Sequence, residues 1–244
     1  MSTATSSSAP RLADHVRACR VGDQLIFLDL HRSRYLGVGG PQLAALSAVV
    51  LEQSLDADAS PAPSDPALLR DGIQRLHDQR LLADGPTQGA AKPLPRLAEP
   101  VISLNADEDQ LAAASDWRDL VRLWRATFVA AAWLRRHSLA DIANRVVALR
   151  ARHSKRSAST DPDALLAAVA SYVRLSPFAL TTHDRCLNDS LALVHFLAGL
   201  GLFPQWVIGV RVHPFGAHSW VQSGGIVLND LAERVRHYQP ILVV

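Results

Sequence analysis

The chain has 244 residues, of which 48% are hydrophobic and 20% charged, so it can bury one large core or two modest ones and is not a disordered polypeptide. Its formal charge of +2 gives no support to a dedicated nucleic-acid-binding protein, which would concentrate more positive charge on one face. The two cysteines, Cys19 and Cys186, have no C-x-x-C spacing, which excludes a disulfide framework and a zinc ribbon and predicts a cytoplasmic location.

The first ten residues are small and polar, which predicts a disordered tail and no signal peptide. The longest apolar stretch, residues 192–210, is interrupted by Gly199, Gly201 and Pro204. These interruptions predict a helix followed by a strand instead of a membrane span. We therefore expect neither a nucleic-acid nor a membrane partner.

Residues 11–84 are predicted to form a first domain with a small antiparallel meander and helices. Alternating apolar residues and turn signals predict three strands: Val16–Ala18, Gln24–Leu30 and Tyr35–Val38. A helix is predicted from Pro41 to Gln53, a loop at residues 56–65, and a second helix after Pro66 with Leu69, Ile73 and Leu76 on one face.

A linker is predicted at residues 85–100, where four prolines and two glycines interrupt any apolar periodicity. Residues 101–244 then form the second domain, whose first half is helical. Apolar residues at helical spacing predict a core-facing stripe: Leu111, Trp117, Leu120, Val121, Trp124 and Phe128. Further helices are predicted to begin at Ser138, with a capping-box pattern to Asp141, and at Asp161–Pro162.

The chemistry is concentrated in the last seventy residues, where the first candidate is Cys186. This residue lies at the N-terminal edge of an apolar helix, where unpaired backbone N–H groups and the helix dipole stabilise a thiolate, and Arg185 adds positive charge. On position alone, a nucleophile and an inert buried cysteine are equally supported.

The strands that follow favour the nucleophile. Residues 206–212, 217–222 and 226–228 are predicted strands, and a three-residue loop at 223–225 would set His218 opposite Asp230, while a two-residue loop shifts the pairing by one. An imidazole that is oriented by a carboxylate can deprotonate a thiol. Cys186, His218 and Asp230 therefore have the residue types and order of a cysteine-protease or transglutaminase-like triad.

Two other kinds of site are alternatives to this triad. His183-x-x-Cys186 and His213-x4-His218 have metal-ligand spacing, but no further carboxylate or thiol completes the set, so we predict no metal. The glycine run at residues 37–40 lacks the Lys and Ser/Thr of a P-loop, so no cofactor is predicted and ATP dependence is left open.

The C-terminal part resembles the B proteins of lasso-peptide biosynthesis in the order and spacing of its motifs. The residues that carry the resemblance are 185–187, 190–192, 208–210, 214–220 and 227–230. The N-terminal part is similar to the peptide-recognition element that these pathways share with the small peptide chaperone of pyrroloquinoline quinone biosynthesis. The resemblance implies an α+β chain: a winged-helix-like recognition module with a three-stranded sheet, then a helical and antiparallel-sheet transglutaminase- or papain-like cysteine protease domain.

The function implied by the resemblance is removal of the leader from a ribosomal precursor peptide, after which the core passes to an asparagine-synthetase-like cyclase. The leader would bind by β-augmentation in a groove formed by Tyr35, Leu36, Val38, Leu69, Ile73 and Leu76. The alternatives are a transglutaminase-like acyltransferase, a non-catalytic peptide-binding scaffold and a winged-helix DNA-binding protein. The last lacks a basic recognition helix, because residues 68–79 hold two Arg and two Asp.

Overall fold

The computed structural model describes residues 11–40, 43, 46, 66–83, 97–104, 116–153, 162–178 and 186–244. Its contacts divide the chain into an N-terminal unit, residues 1–94, and a C-terminal unit, residues 95–244. The predicted tail at 1–10, the loop at 56–65 and Arg185 lie outside the described residues. Of the helix predicted from Pro41 to Gln53, only Leu43 and Leu46 are described, and both are helical.

The N-terminal unit contains a three-stranded antiparallel sheet, which confirms the predicted meander. Its strands are β1 (Val16–Val21), β2 (Gln24–Asp29) and β3 (Arg34–Gly39), in the order β1-β2-β3. The turn between β1 and β2 contains Gly22 at φ +57°, a conformation that glycine adopts without steric cost. Because β2 is the central strand, β3 forms one edge of the sheet.

One helix of the N-terminal unit, α1 (Pro66–Asp78), begins where the sequence predicts it. Proline is tolerated at its first position because the first N–H groups of a helix have no partner within the helix. Leu76 is buried, while Leu69 and Ile73 are partly buried against the same core. That core is apolar throughout and consists of Ala13, Val16, Ala18, Leu25, Phe27, Leu46, Leu76, Leu81 and Leu82.

The C-terminal unit begins with a short strand and continues as helices. The described elements are β4 (Ile102–Ser103), α2 (Trp117–Arg136), α3 (Leu139–His153), α4 (Pro162–Leu175), a 3₁₀ turn (Ser176–Phe178) and α5 (Cys186–Ala198). The predicted capping box forms at α3, where Ser138 Oγ accepts from the Asp141 N–H and Asp141 Oδ2 accepts from the Ser138 N–H.

The predicted core stripe of α2 is wrong for its described members. Trp117 is 69%, Trp124 55% and Phe128 73% exposed, and Leu120 and Val121 are exposed as well. The buried face is the opposite one and carries Leu123, Ala126, Thr127 and Ala130. Helix α5 packs against α2, and a buried face with two alanines allows two helices to approach closely.

A five-stranded mixed sheet completes the C-terminal unit, in the order β4-β7-β6-β5-β8. The further elements are β5 (Gln205–Val212), β6 (Phe215–Ser223), β7 (Ile226–Val227), α6 (Ala232–Val235) and β8 (Gln239–Val243). All neighbouring strands are antiparallel except β4 and β7. The three strands predicted after residue 205 are present, and the structure adds β4 and β8 at the edges.

The end of the predicted linker is held on the C-terminal unit. Gln222 Nε2 donates to Ala98 O at 2.7 Å, and Arg236 Nε donates to Pro100 O at 2.7 Å. Because these bonds fix the backbone of residues 97–100, that stretch belongs with the second unit and does not act as a flexible connection.

Helix α5 is the central element of the C-terminal unit. Nine of its residues are buried, and it contacts α2, α3 and α4 on one side and β5 and β6 on the other. It ends as predicted, because Gly201 at φ +79° lets the Leu202 N–H return to Leu197 O at 3.0 Å. Within the described helices, none combines the length and the hydropathy that a membrane crossing requires.

Candidate active site

The first residue of α5 is Cys186, a half-buried thiol. The sulfur accepts hydrogen bonds from the His218 side chain and from the backbone N–H groups of Ser219 and Leu187. A helix N-terminus favours negative charge because its first N–H groups are unpaired within the helix. The surroundings of this sulfur are therefore those of a thiolate and not those of a thiol packed in hydrocarbon.

His218 lies on β6 and is oriented by Asp230. The Nε2 atom of His218 donates to Asp230 Oδ2 at 2.5 Å, so Nδ1 is the ring nitrogen left for the thiol of Cys186. The second carboxylate oxygen of Asp230 accepts from the Leu231 N–H at 2.7 Å and lies 3.2 Å from Arg234 Nη1. Three residues that are far apart in sequence thus form one continuous chain of hydrogen bonds.

Of the two alternatives for the β6–β7 turn, the two-residue loop forms, so His218 and Asp230 are not an opposed pair, although their side chains meet. Gly224 and Gly225 form a two-residue turn, and β6 pairs with β7 as Gln222 with Val227. The shift has a local cause, since Gly224 has φ +56° and supports a tight turn. Strand β7 ends at Val227, and Asp230 reaches His218 from the segment that follows it.

The charges of Cys186 and His218 are coupled. The hydrogen bond from His218 lowers the pKa of Cys186 below its ordinary value, against the opposing effect of burial. Burial alone would lower the pKa of His218, but the hydrogen bonds to Asp230 and Cys186 outweigh it and raise that pKa to about 9. Both shifts favour the thiolate–imidazolium form of the pair, the form in which a cysteine attacks a carbonyl.

The strand next to His218 leaves room for two aromatic rings. Gly209 lies opposite His218 in the β5–β6 ladder, and a Cβ there would lie 2.8 Å from the Trp220 ring and 2.9 Å from Tyr238 Cβ. Trp220 stacks on the imidazole with 6.1 Å between ring centroids, and Tyr238 lies 5.2 Å from it. A glycine at position 209 therefore lets both rings enclose the imidazole.

Sequence reasoning missed a buried hydroxyl cluster behind the thiol. Ser190 Oγ and Ser219 Oγ are 2.7 Å apart, and Trp206 Nε1 donates to both. Ser219 Oγ also donates to Val207 O at 3.1 Å. Because the Ser219 N–H is one of the donors to Cys186, this cluster fixes the backbone that faces the sulfur. Its only sequence signal is a pair of serines on otherwise apolar segments.

Sequence reasoning also missed the role of the polar residues that follow Cys186. Asp189 accepts from Tyr172 Oη at 2.7 Å and from Asn229 Nδ2 at 2.9 Å, so both of its carboxylate oxygens are engaged within the protein. Asn188 is buried, and its Oδ1 has no hydrogen-bond partner in the described part of the chain.

The histidines considered as metal ligands do not form a metal centre in the described ranges, where no group of three His, Cys, Asp or Glu side chains could hold an ion. His213 is exposed in the β5–β6 turn, and His183 lies outside the described residues. His195 is partly buried in α5 with its ring edge-on to Trp133, and the partial burial lowers its pKa to about 4.

The N-terminal unit has a groove of about 310 Å³ between β3 and α1. The residues that line it include Leu36, Val38, Leu46, Gly72, Arg75 and Leu76. Of the predicted groove residues, Tyr35 belongs to the opposite face of β3, because successive strand residues alternate. Leu69 and Ile73 pack against the core beside the groove.

Comparison with known proteins agrees with this geometry. Residues 123–243 match the transglutaminase-like superfamily, and that range includes Cys186, His218 and Asp230. The chain carries a transglutaminase-like domain. This domain accounts for about half of the chain and contains α5 and the strands β5 to β8.

A curated relative of the chain is the microcin J25-processing protein McjB of Escherichia coli, which is 49% identical over 45 residues. The match covers 18% of this chain and 22% of that protein, so the chain spans about a fifth of the length of the relative. No solved structure matches the chain significantly. The transglutaminase-like domain and this relative together support the resemblance to the B proteins of lasso-peptide biosynthesis.

Proposed function

We propose that the chain is a cysteine peptidase of lasso-peptide maturation, which binds the leader of a ribosomal precursor peptide and cleaves it from the core. The observation that carries the proposal is the hydrogen-bonded series Cys186, His218 and Asp230 in a transglutaminase-like domain. The similarity to a microcin-processing protein supports the choice of substrate class.

The cleavage follows from the protonation state of the pair. The Cys186 thiolate attacks the carbonyl carbon of the last leader residue, and the imidazolium of His218 gives its proton to the amine of the first core residue. The core leaves with a free amine, and the leader is held as a thioester. His218, now neutral, deprotonates a water molecule that hydrolyses the thioester and releases the leader carboxylate. Asp230 keeps the imidazole oriented throughout.

The negative charge on the attacked carbonyl oxygen requires donors that are already in place. We assign one donor to the backbone N–H of Cys186, because the first N–H groups of α5 have no partner within the helix. The helix dipole adds to the same stabilisation.

The N-terminal unit supplies affinity for the leader in this proposal. Strand β3 is an edge of its sheet, and an extended peptide can add to such an edge through backbone hydrogen bonds. Leu36, Val38 and Leu76 give the neighbouring groove an apolar lining, while Arg75 provides a charge at its border. Apolar side chains of the leader would enter this groove and determine which leader peptides bind.

The chemistry of the released core peptide indicates the reaction that follows cleavage. Cleavage exposes an amine at the start of the core, and amide formation with that amine is the reaction of an asparagine-synthetase-like cyclase. We therefore propose such a cyclase as the partner that consumes the product.

Mass spectrometry of the full chain with a precursor peptide encoded beside its gene tests the proposal. We expect two fragments whose masses sum to the precursor plus one water, and no cleavage by Cys186→Ala. Cys19→Ala is the matched control, because this cysteine is buried in the other unit, and it should cleave normally. An acyltransferase would instead give a leader that carries the added amine beside the free core, or an uncleaved precursor in which the amine has replaced ammonia. An ordinary alkylation rate at Cys186 and no product would identify a scaffold.

A further inference from the structure

The structure assigns Asp189 as a positioning residue that joins the helix of the nucleophile to the segment of the orienting carboxylate. Asp189 is in the first turn of α5, three residues after Cys186. It binds Asn229, which directly precedes Asp230. We call Tyr172, Asp189 and Asn229 the carboxylate bridge. The inference extends the proposed function, because it concerns how that same site is held together.

The carboxylate bridge is fully hydrogen-bonded on both sides. Asp189 Oδ1 accepts from Tyr172 Oη at 2.7 Å, and Asp189 Oδ2 accepts from Asn229 Nδ2 at 2.9 Å. Tyr172 is buried on α4, and its hydroxyl also lies 3.1 Å from Asp189 O. Hydrogen bonds to an ionised carboxylate are stronger than neutral ones, so α4 fixes the rotamer of Asp189.

The other side of the bridge reaches the strand of His218 and the residue next to Asp230. Asn229 Oδ1 accepts from the Val221 N–H at 2.8 Å, and Val221 lies three residues after His218 on β6. The next residue in the chain, Asp230, binds His218 directly. Asn229 is therefore tied to α5 through one end of its amide and to β6 through the other.

Strand β7 does not reach Asp230, and the nearby bond from the Ala232 N–H to Ser103 Oγ ties the segment to β4 and not to α5. Strand β7 contains only Ile226 and Val227 and ends before Asn229. One described backbone hydrogen bond joins this part of the chain to β6: the Leu228 N–H donates to Val221 O at 2.9 Å. Without the bridge, the segment from Asn229 to Asp230 would keep its bond to β6 but lose its bond to the helix of Cys186, so the distance between nucleophile and base would be held less closely.

Alkylation of Cys186 by iodoacetamide as a function of pH, followed on full-length protein by mass spectrometry, tests the bridge without a precursor peptide. In Asp189→Ala we expect the apparent pKa of Cys186 to rise toward the ordinary thiol value, and precursor cleavage to fall about 10-fold or more. Asn229→Ala should give the same shift, and the double variant should be no worse than either single variant.

Asp189→Asn is the conservative variant that should restore function. Its amide oxygen can accept from Asn229, and its NH₂ group can donate to the Tyr172 oxygen, since a phenol both donates and accepts. We expect its alkylation profile and cleavage to be close to those of the wild type. Val169→Ala, a fully buried residue of α4 without a part in the bridge, is the control for lost stability alone: its melting temperature should fall while its alkylation profile stays unchanged.

The direction in which the pKa of Cys186 changes separates the positioning role of Asp189 from a charge effect and from a merely structural role. If Asp189 acts only as a nearby negative charge, its removal favours the thiolate, and the pKa of Cys186 falls in both Asp189→Ala and Asp189→Asn. If it is only structural, Asp189→Ala behaves like Val169→Ala. Either result would contradict the positioning role of Asp189 without contradicting the proposed peptidase activity. An ordinary pKa of Cys186 in the wild type would overturn the proposed function and the bridge together.

Discussion

At the scale of single residues, the site depends on one imidazole that stays protonated in a half-buried position. Removal from water disfavours the charged form of His218, and the carboxylate of Asp230 and the sulfur of Cys186 compensate for it. The position of the carboxylate therefore decides the pH range in which the thiolate and imidazolium coexist.

Asp230→Asn should move the alkaline limit of cleavage to lower pH. An imidazolium is protonated below its pKa, so wild-type kcat/KM should decline as the pH rises through about 9, where the proton for the leaving amine is lost. The amide of the variant no longer favours the cation, so the decline begins earlier, and kcat falls by up to ~10⁴-fold. The pH profile of precursor cleavage is the measurement.

Arg234→Ala is the matched control for this profile. Arg234 is exposed and lies 3.2 Å from the other oxygen of Asp230, so its removal leaves the bond to His218 in place. In this control variant, kcat/KM should still decline near pH 9, as in the wild type. If the alkaline limit of cleavage were unchanged in Asp230→Asn, another group would set the pKa of His218.

At the scale of elements, α2 exposes the residues that its sequence would be expected to bury. The exposed face carries Trp117, Trp124 and Phe128, and it is flanked by the exposed Arg118 and Arg125. Large exposed apolar patches are uncommon on soluble proteins. The exposure has a spectroscopic consequence that can be measured directly.

Iodide should quench a large part of the tryptophan fluorescence of the native protein. Trp117 and Trp124 are exposed beside cationic side chains that attract the anion, whereas Trp206 and Trp220 are buried. In the double variant Trp117→Phe/Trp124→Phe, most of this quenching should disappear. Retention of wild-type quenching in that variant would contradict the exposure of the stripe.

The sequence predicted which elements form but not which of two apolar helix faces is buried. Periodicity identifies a stripe, and on α2 both the tryptophan face and the Leu123 face satisfy it. The choice depends on α5, which packs against α2 through long-range contacts. The same limit applies to the bond between Asp189 and Asn229, which joins residues 40 positions apart.

The candidate site was easier to predict because its chemistry is carried by residue types. A cysteine at the start of an apolar helix and a histidine on a β-rich segment predict a nucleophile and a base without an exact register. The loop length at Gly224 did not matter, because Asp230 lies beyond the end of β7 and meets His218 from the segment that follows the strand. The groove residues were less predictable, since Tyr35 and Leu36 differ by one position and belong to opposite faces of β3.

At the scale of the whole molecule, binding and cleavage belong to different units in the proposed function. Residues 1–94, expressed alone, should bind the leader without cleaving it. Residues 95–244 should retain the lowered pKa of Cys186 yet cleave the precursor poorly, because cleavage then lacks the high local concentration of a tethered substrate. Calorimetry with a leader peptide and circular dichroism of both pieces are the measurements. Equal leader affinity of the two pieces would contradict the assignment of the N-terminal unit.

The two units also differ in the state of their single cysteines. Cys19 is 5% exposed within the N-terminal unit, while Cys186 is half-buried in the C-terminal unit. A maleimide dye added to the native protein should therefore label the proposed nucleophile alone. Equal labelling of both cysteines in the native protein would contradict the burial of Cys19.

Labelling of Cys19 then requires the N-terminal unit to open. The ratio of its native labelling rate to the rate in denaturant gives the population of the open form, and hence the free energy of opening. Without any substitution, the natural chain thus carries one thiol that reports on its catalytic chemistry and a second that reports on the stability of its other unit.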